Sequence, residues 1–350
     1  AHHKNHFILR RITWKVEYIT YKLGAWEAEL NIMQEFFYRD DTSQDPLVSS
    51  PMDKAWILSE MGLCLDNICQ GLSATRFHER ARDVYLGSKA WTYASVSEAN
   101  LSVSYSLRGE LVNSLQAADE ALRLARREKR TDHERDPLAD QAWVYHQQGD
   151  LENASRTFLE AEAMERLRDS SKLYLYSLRG TRHADHLRLK GEADYARRVA
   201  EANLGICERI HWPDDISSCH RVLGDLFADA GQEKQAMKSY IQAIDIARSI
   251  SQRLVLVEAL LARGRWYARS IRDAEAARSD LNEALEYARA GGYRLYEADI
   301  RIGLAWAHFA AGNDNRARDE AGYALQMSQD MGYHWGIVDA KEVLAKLNER

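Results

Sequence analysis

The stretch Ser217–Ile250, SSCHRVLGDLFADAGQEKQAMKSYIQAIDIARSI, decides the fold. Gly231 divides it into two apolar-periodic halves. The small residues Gly224, Ala236 and Ala243 stand seven before, five after and twelve after that glycine, and the aromatic Phe227 and Tyr240 stand four before and nine after. Two helices joined by a short glycine turn cross closely only where facing side chains are tiny, and large residues then fill the flanking holes. This stretch therefore predicts an antiparallel helical hairpin.

The same arrangement recurs along the chain. Gly109, Gly149, Gly191, Gly231 and Gly312 each close one periodic segment, and the first three intervals are 40, 42 and 40 residues. The last interval, 81, holds two units, with Arg269-Ser270-Ile271-Arg272-Asp273 replacing the glycine turn of the first. Seven before each glycine come Ser102, Ala142, Ala184, Gly224 and Ala305, and five after come Ser114, Ala154, Ala196, Ala236 and Ala317. Twelve after come Ala121, Ala161, Asn203, Ala243 and Ala324, so fourteen of fifteen slots are Ala, Gly or Ser. Those types fill roughly a quarter of an average sequence, so chance does not account for the pattern. Tyr105, Tyr145, Leu187 and Phe227 are the large knobs four before the glycine, and His308 is the odd member of that set. Gly264, Ala277, Leu281 and Ala284 keep the register in the unit without a glycine turn, which carries one extra residue there.

These units resemble the tetratricopeptide repeat, with Leu223-Gly224, Phe227, Gly231, Ala236, Tyr240 and Ala243 at that family's spacing. The resemblance implies an all-α fold, a right-handed superhelical solenoid of stacked antiparallel hairpins. Six units are expected over 95–330. Residues 1–94 are expected to hold divergent hairpins, one around Gly24 with Trp14, Tyr18, Tyr21 and Trp26, and one with Trp56, Met61, Leu65, Ile68 and a turn at Gly71. A loop falls near 40–52, where Pro46 and Pro51 lie, and residues 331–350 are expected to form a capping helix over the last hairpin. Pro137 and Pro213 also fall between units, outside helix interiors.

Composition agrees with this reading and narrows the function. Only 19 glycines and 4 prolines in 350 residues are too few for the turns of an all-β chain, and 45% hydrophobic residues supply a core. A formal net charge of −6 gives no overall attraction to nucleic acid or an anionic membrane, so neither is expected as a partner. Cys64, Cys69, Cys207 and Cys219 form no CxxC pair, which points to a reducing, cytoplasmic setting. The missing initiator Met and the cluster His2, His3, His6 suggest a fragment of a longer protein.

No phosphate loop, dinucleotide turn, HExxH helix or GxSxG elbow occurs, and no cofactor, metal site or catalytic residue is expected. His183 and His186 form an HxxH, but His183 occupies the core offset of Leu101, Leu223 and Leu304, so it reads as a packed histidine. Cys219 and His220 are neighbours on a helix and point about 100 degrees apart, a poor nucleophile–base pair. The basic run Arg126-Arg127-Glu128-Lys129-Arg130 ends a helix whose dipole favours cations there.

What can bind is the inner surface of the superhelix, lined by the first helix of each hairpin. Counting from the small residues places Trp143, His146, Asp185, Arg188, Arg221, Asp225, Asp229, Arg265, Arg269, Asp299, Ile302 and Trp306 inward. Trp and Arg dominate binding hot spots, so this concave face is the candidate site for a protein or peptide. The asparagine and lysine set with which chaperone-tail-binding members clamp a terminal carboxylate is not recognisable. Units of about 40 residues look like the repeat arms of bacterial signal-transduction ATPases with numerous domains, and like repeats attached to caspase-like effectors. That resemblance implies a non-enzymatic sensing arm of a larger bacterial signalling or defence protein, with an ATPase or effector domain attached. The alternative is a free-standing scaffold for a multiprotein complex.

Overall fold

The computed structural model describes residues 20, 22–127 and 133–349. Among them there are sixteen α-helices and no strand. A short helix, α1 (Trp26–Gln34), and a 3-10 turn precede seven hairpins. The hairpins pair α2 (Pro51–Asn67) with α3 (Gly71–Gly87), α4 (Trp91–Leu107) with α5 (Leu111–Arg127), and α6 (Arg135–Gln148) with α7 (Leu151–Arg168). Next come α8 (Ser177–Leu189) with α9 (Ala193–Ile210), and α10 (Pro213–Asp229) with α11 (Glu233–Ser249). The series ends with α12 (Arg253–Trp266) on α13 (Ala274–Gly291), α14 (Arg294–Ala310) on α15 (Asp314–Met331), and the single helix α16 (His334–Asn348). The chain is an all-α solenoid of stacked antiparallel hairpins. His2, His3, His6, Trp14, Tyr18, Tyr21 and the Glu128–Arg130 part of the basic run lie outside the described residues.

The five register glycines all sit in left-handed turns, with φ between 67° and 88°, a region that costs a residue with a Cβ. In the unit that lacks the glycine, the extra residue is absorbed as a π-turn over Tyr267–Ile271, and Arg272 takes the left-handed position at φ 60°. Gly71 is not the turn residue of its hairpin. It opens α3, and Cys69 holds the left-handed position instead. Pro51 and Pro213 stand at the first turns of α2 and α10, where a missing N–H is harmless.

Every alanine of the small-residue register is fully buried at the hairpin crossings. At Gly224 even a methyl group would come within 2.6 Å of the Tyr240 ring, which is why that slot is glycine. The one departure, Asn203, is fully buried and bonds the backbone of Ser177 in both directions, accepting from its N–H at 2.7 Å and donating to its carbonyl at 3.0 Å. Ser95 and Ser217 make the equivalent tie, each donating at 2.7 Å to the carbonyl of Ala121 or Ala243 on the partner helix.

The superhelix turns back on itself after five hairpins. Helix α12 meets α2, α14 meets α4, and α16 meets α6. Gln252 donates to Asn67 at 2.5 Å, Tyr293 donates to the Asp66 carbonyl at 2.5 Å, and Trp335 donates to the His146 carbonyl at 2.9 Å. Apolar side chains close the same seam: Leu111 and Val144 share one core with Leu295, Met331 and Tyr333. A curved row of hairpins thereby becomes a ring with an interior.

Candidate functional site

The inner helices α4, α6, α8, α10, α12, α14 and α16 surround one cavity of about 650 Å³. That volume falls in the range of ligand-binding clefts. Ten of the predicted inward residues line it: Trp143, His146, Asp185, Arg188, Arg221, Asp225, Asp229, Arg265, Arg269 and Asp299. Trp306 does not. It is 8% exposed and packs edge-on against Phe309, with the Arg269 guanidinium 4.9 Å over its ring. Ile302 is likewise fully buried, in the core between hairpins.

The wall is a belt of ion pairs that cross from one inner helix to the next. Arg221 on α10 donates from Nη1 to both carboxylate oxygens of Asp185 on α8 at 2.7 Å, and Tyr240 donates to Asp225 at 2.8 Å. Burial works against the Arg221 charge, but Asp185 and Asp225 outweigh it and hold the guanidinium above its ordinary range. Arg188 donates to Asp229 at 2.9 Å, and Arg265 on α12 donates to Asp339 on α16 at 2.5 Å. Arg182, buried, donates to Asp140 at 2.8 Å and lies 5.6 Å from the Trp143 ring. Two of these arginines keep spare capacity: Nε of Arg188 and Nε of Arg221 have no hydrogen-bond partner.

Across the ring the wall becomes aromatic. Trp143 stacks on His146 at 4.9 Å, and Trp335 lies tilted against the same imidazole at 5.2 Å. Tyr333 donates to Asp299 at 3.1 Å, and Tyr296 donates to Glu258. Burial pushes the Asp299 carboxyl up to about 6, although Arg265 and the Tyr333 hydroxyl pull the other way. Burial, reinforced by His186, holds His146 well below the usual imidazole range, so it is neutral. These side chains make a polar, charge-balanced interior with flat apolar faces. Such a surface suits a chain carrying both charges and apolar groups.

Counting from the small residues missed several cavity residues, among them Arg182, Glu258, Tyr296, Tyr333, Trp335 and Asp339. Trp335 enters through the ring closure, which no local pattern encodes. His183 is 1% exposed, with its ring stacked on Phe158 at 4.7 Å and Nδ1 3.1 Å from Glu162. His186 turns away to Ser155 at 2.8 Å and His146 at 3.2 Å, so the two imidazoles serve different partners. Among the described residues no group of His, Cys, Asp and Glu is arranged to hold a metal, and all four cysteines are free and buried. In the basic run, Arg126 pairs with Glu134 at 2.8 Å and Arg127 lies 3.7 Å over the Trp91 ring. No described helix is long and apolar enough to cross a membrane.

Comparison with known proteins supports this architecture. Residues 222–250 match the tetratricopeptide repeat model. A Rap protein solved in complex with Competence and Sporulation Factor superposes with a TM-score of 0.64 at 11% identity, over 81% of this chain and 77% of that one. Aspartyl phosphate phosphatase F from Bacillus subtilis gives 0.55 at 14% identity, over 79% and 70%. A signal transduction ATPase with numerous domains from Pyrococcus horikoshii, bearing a repeat sensor of this kind, gives 0.51 at 14% identity. That match covers 93% of this chain and 49% of the ATPase, so this chain spans about half its length. At such identities the likeness concerns the fold. No curated protein matches the sequence.

Proposed function

We propose that this chain, a tetratricopeptide-repeat solenoid, is a non-enzymatic protein-interaction module that captures a protein or peptide segment inside its ring. The observation that carries the reading is the cavity wall. Ten side chains picked out by repeat register converge on one 650 Å³ space, with arginine forks, carboxylates and indole faces presented together. A bound chain finds a partner there for its backbone N–H groups, its carbonyls and its apolar side chains. Because the wall is internally paired, an incoming charge replaces an existing partner rather than meeting a bare one, which favours selectivity over raw affinity.

The neighbours are consistent with this use. The Rap protein was solved with a partner factor, and the ATPase carries its repeats as a sensor. We extend the reading to a sensing arm of a larger bacterial signalling or defence protein in the cytoplasm, whose ATPase or effector domain responds when the ring is filled. The test is affinity capture with wild-type chain and with Trp143→Ala and Arg221→Ala, each shown by circular dichroism and melting to be folded. Partners held by the cavity are lost from both variants and kept by the outer-face variant Arg156→Ala. Retention of the same partners by all three would remove the cavity from the account.

A further inference from the structure

A second cleft, of about 370 Å³, opens on the outer side of the coil between α13 and α15, with α14 as its floor. It is lined by Arg278, Arg289, Arg301, Arg316, His308 and Glu320. Four guanidiniums around one carboxylate is an unusual concentration in a chain of net charge −6.

The local charges do not cancel. Arg289 and Arg301 donate to the same oxygen of Glu297, at 3.0 and 2.9 Å, and Arg301 also donates to Glu320 at 2.6 Å. Glu297 and Glu320 therefore offset two of the four positive charges. Arg278 uses its Nε on the Ala274 carbonyl at 3.1 Å, and neither Arg278 nor Arg316 pairs with a carboxylate among the described residues. About two positive charges remain, on residues from two different hairpins.

His308 gives an independent sign. It stands where the other units place Tyr105, Tyr145, Leu187 or Phe227, which are packing residues. Its exposure is only 9%, and its Nδ1 is shut away from water with no hydrogen-bond partner. A buried polar atom left unsatisfied costs stability that a phenyl or isobutyl group would not, so packing alone does not explain the residue. Burial, together with the nearby Arg278 and Arg316, holds its imidazole below the usual range, and an anion lodged between those arginines would relieve the charge part of that effect.

We propose that this cleft is a binding site for a phosphate dianion, free or as a phosphomonoester. Arg278 and Arg316 hold its oxygens from opposite walls, and His308, whose Nδ1 is shut away, supplies a further N–H from Nε2 on the floor. Two unpaired guanidinium forks match a doubly charged, many-acceptor oxyanion better than a carboxylate, which would neutralise only one of them.

The experiment is calorimetric titration of the full chain at pH 7.5 and constant ionic strength, with inorganic phosphate and with phenyl phosphate as probes. The expected result is one site, weakened at least tenfold by Arg278→Gln and by Arg316→Gln and unaltered by the control Arg156→Gln. Phenyl phosphate binding at least as tightly as phosphate identifies an ester as the physiological form, and preference for phosphate identifies the free ion. His308→Phe, which installs the residue type of Phe227, is expected to keep or raise the melting temperature while weakening phosphate at least threefold. The proposal is overturned if phosphate produces no more heat than chloride at matched ionic strength, or if Arg278→Gln and Arg316→Gln both bind phosphate as the wild type does.

Discussion

Trp335 donates its indole N–H to the carbonyl oxygen of His146 at 2.9 Å, although 189 residues of chain separate them. That bond spans the seam at which α16 returns to α6, and both side chains also line the cavity. Ring closure and cavity formation are thus one structural event.

Removing that bond tests the closure. Trp335→Phe keeps an aromatic face against His146 but removes the donor that crosses the seam, leaving the carbonyl only the Gly149 N–H, at a cost of roughly 1 kcal/mol. Hydrogen exchange should speed up in α6 and α16 while the hairpins α8–α11 keep their protection. Uniform loss of protection throughout would show that the seam has no separate existence.

Gly224 and Gly322 predict opposite outcomes for the same substitution. Gly224→Ala forces a methyl group to within 2.6 Å of the Tyr240 ring and destabilises by roughly 1–3 kcal/mol. At Gly322, inside α15, nothing lies within 4 Å of an added methyl, so alanine stabilises by up to about 1 kcal/mol. Urea denaturation of the two variants gives the signs.

Arg221 binds two acidic side chains in the wall, so deleting it leaves buried negative charge behind. Arg221→Met is expected to cost roughly 3–5 kcal/mol, and adding Asp185→Leu to recover much of it, as a hydrophobic replacement of a buried pair does. A double-mutant cycle measures the coupling. If the two changes simply add, the pair contributes nothing specific.

Stability is expected to fall as pH rises above about 6.5. Glu29 is 1% exposed, and burial with Glu60 nearby raises its carboxyl to about 8. The folded state therefore holds a proton that the unfolded state releases above about 4.5, and stability falls as pH rises towards 8. Burial lowers His186 to about 4 and also lowers His146; the unfolded chain binds those protons first on acidification, so these two groups favour the folded state more as pH rises to about 6.5. Above 6.5 the histidine slope is spent, and Glu29 acts together with Glu60 and Glu98, whose carboxyls burial raises to about 7. Melting temperature should fall between about pH 6.5 and 8, and Glu29→Gln should reduce that fall, most visibly at its alkaline end. An unchanged decline in that variant would assign it to other groups.

How much of this was written in the sequence depends on distance along the chain. The hairpins are legible because each rests on local choices: a left-handed glycine such as Gly149 and a tiny crossing residue such as Ala154. The inward face is legible too, since helical periodicity counted from those residues carries Asp185, Arg221 and Arg265 to one side. Trp306 fails the same count because it lies near the end of α14, where Phe309 and Arg269 pack around it. The ring was not legible. It arises from small rotations accumulated over five hairpins, and its contacts, such as Gly109 against Met331, join residues that no repeat period relates. For the same reason α16 read only as a cap, when its Trp335 and Asp339 also complete the cavity wall.

Recognition inside the ring is tested most directly by hydrogen exchange on the chain with and without a partner obtained by affinity capture. The account predicts added protection in α8, α10, α12 and α16, centred on Asp185, Arg221, Arg265 and Trp335, with the outer helices α9, α11 and α13 unaltered. Protection confined to those outer helices, with the inner ones exchanging as in the free chain, would contradict it.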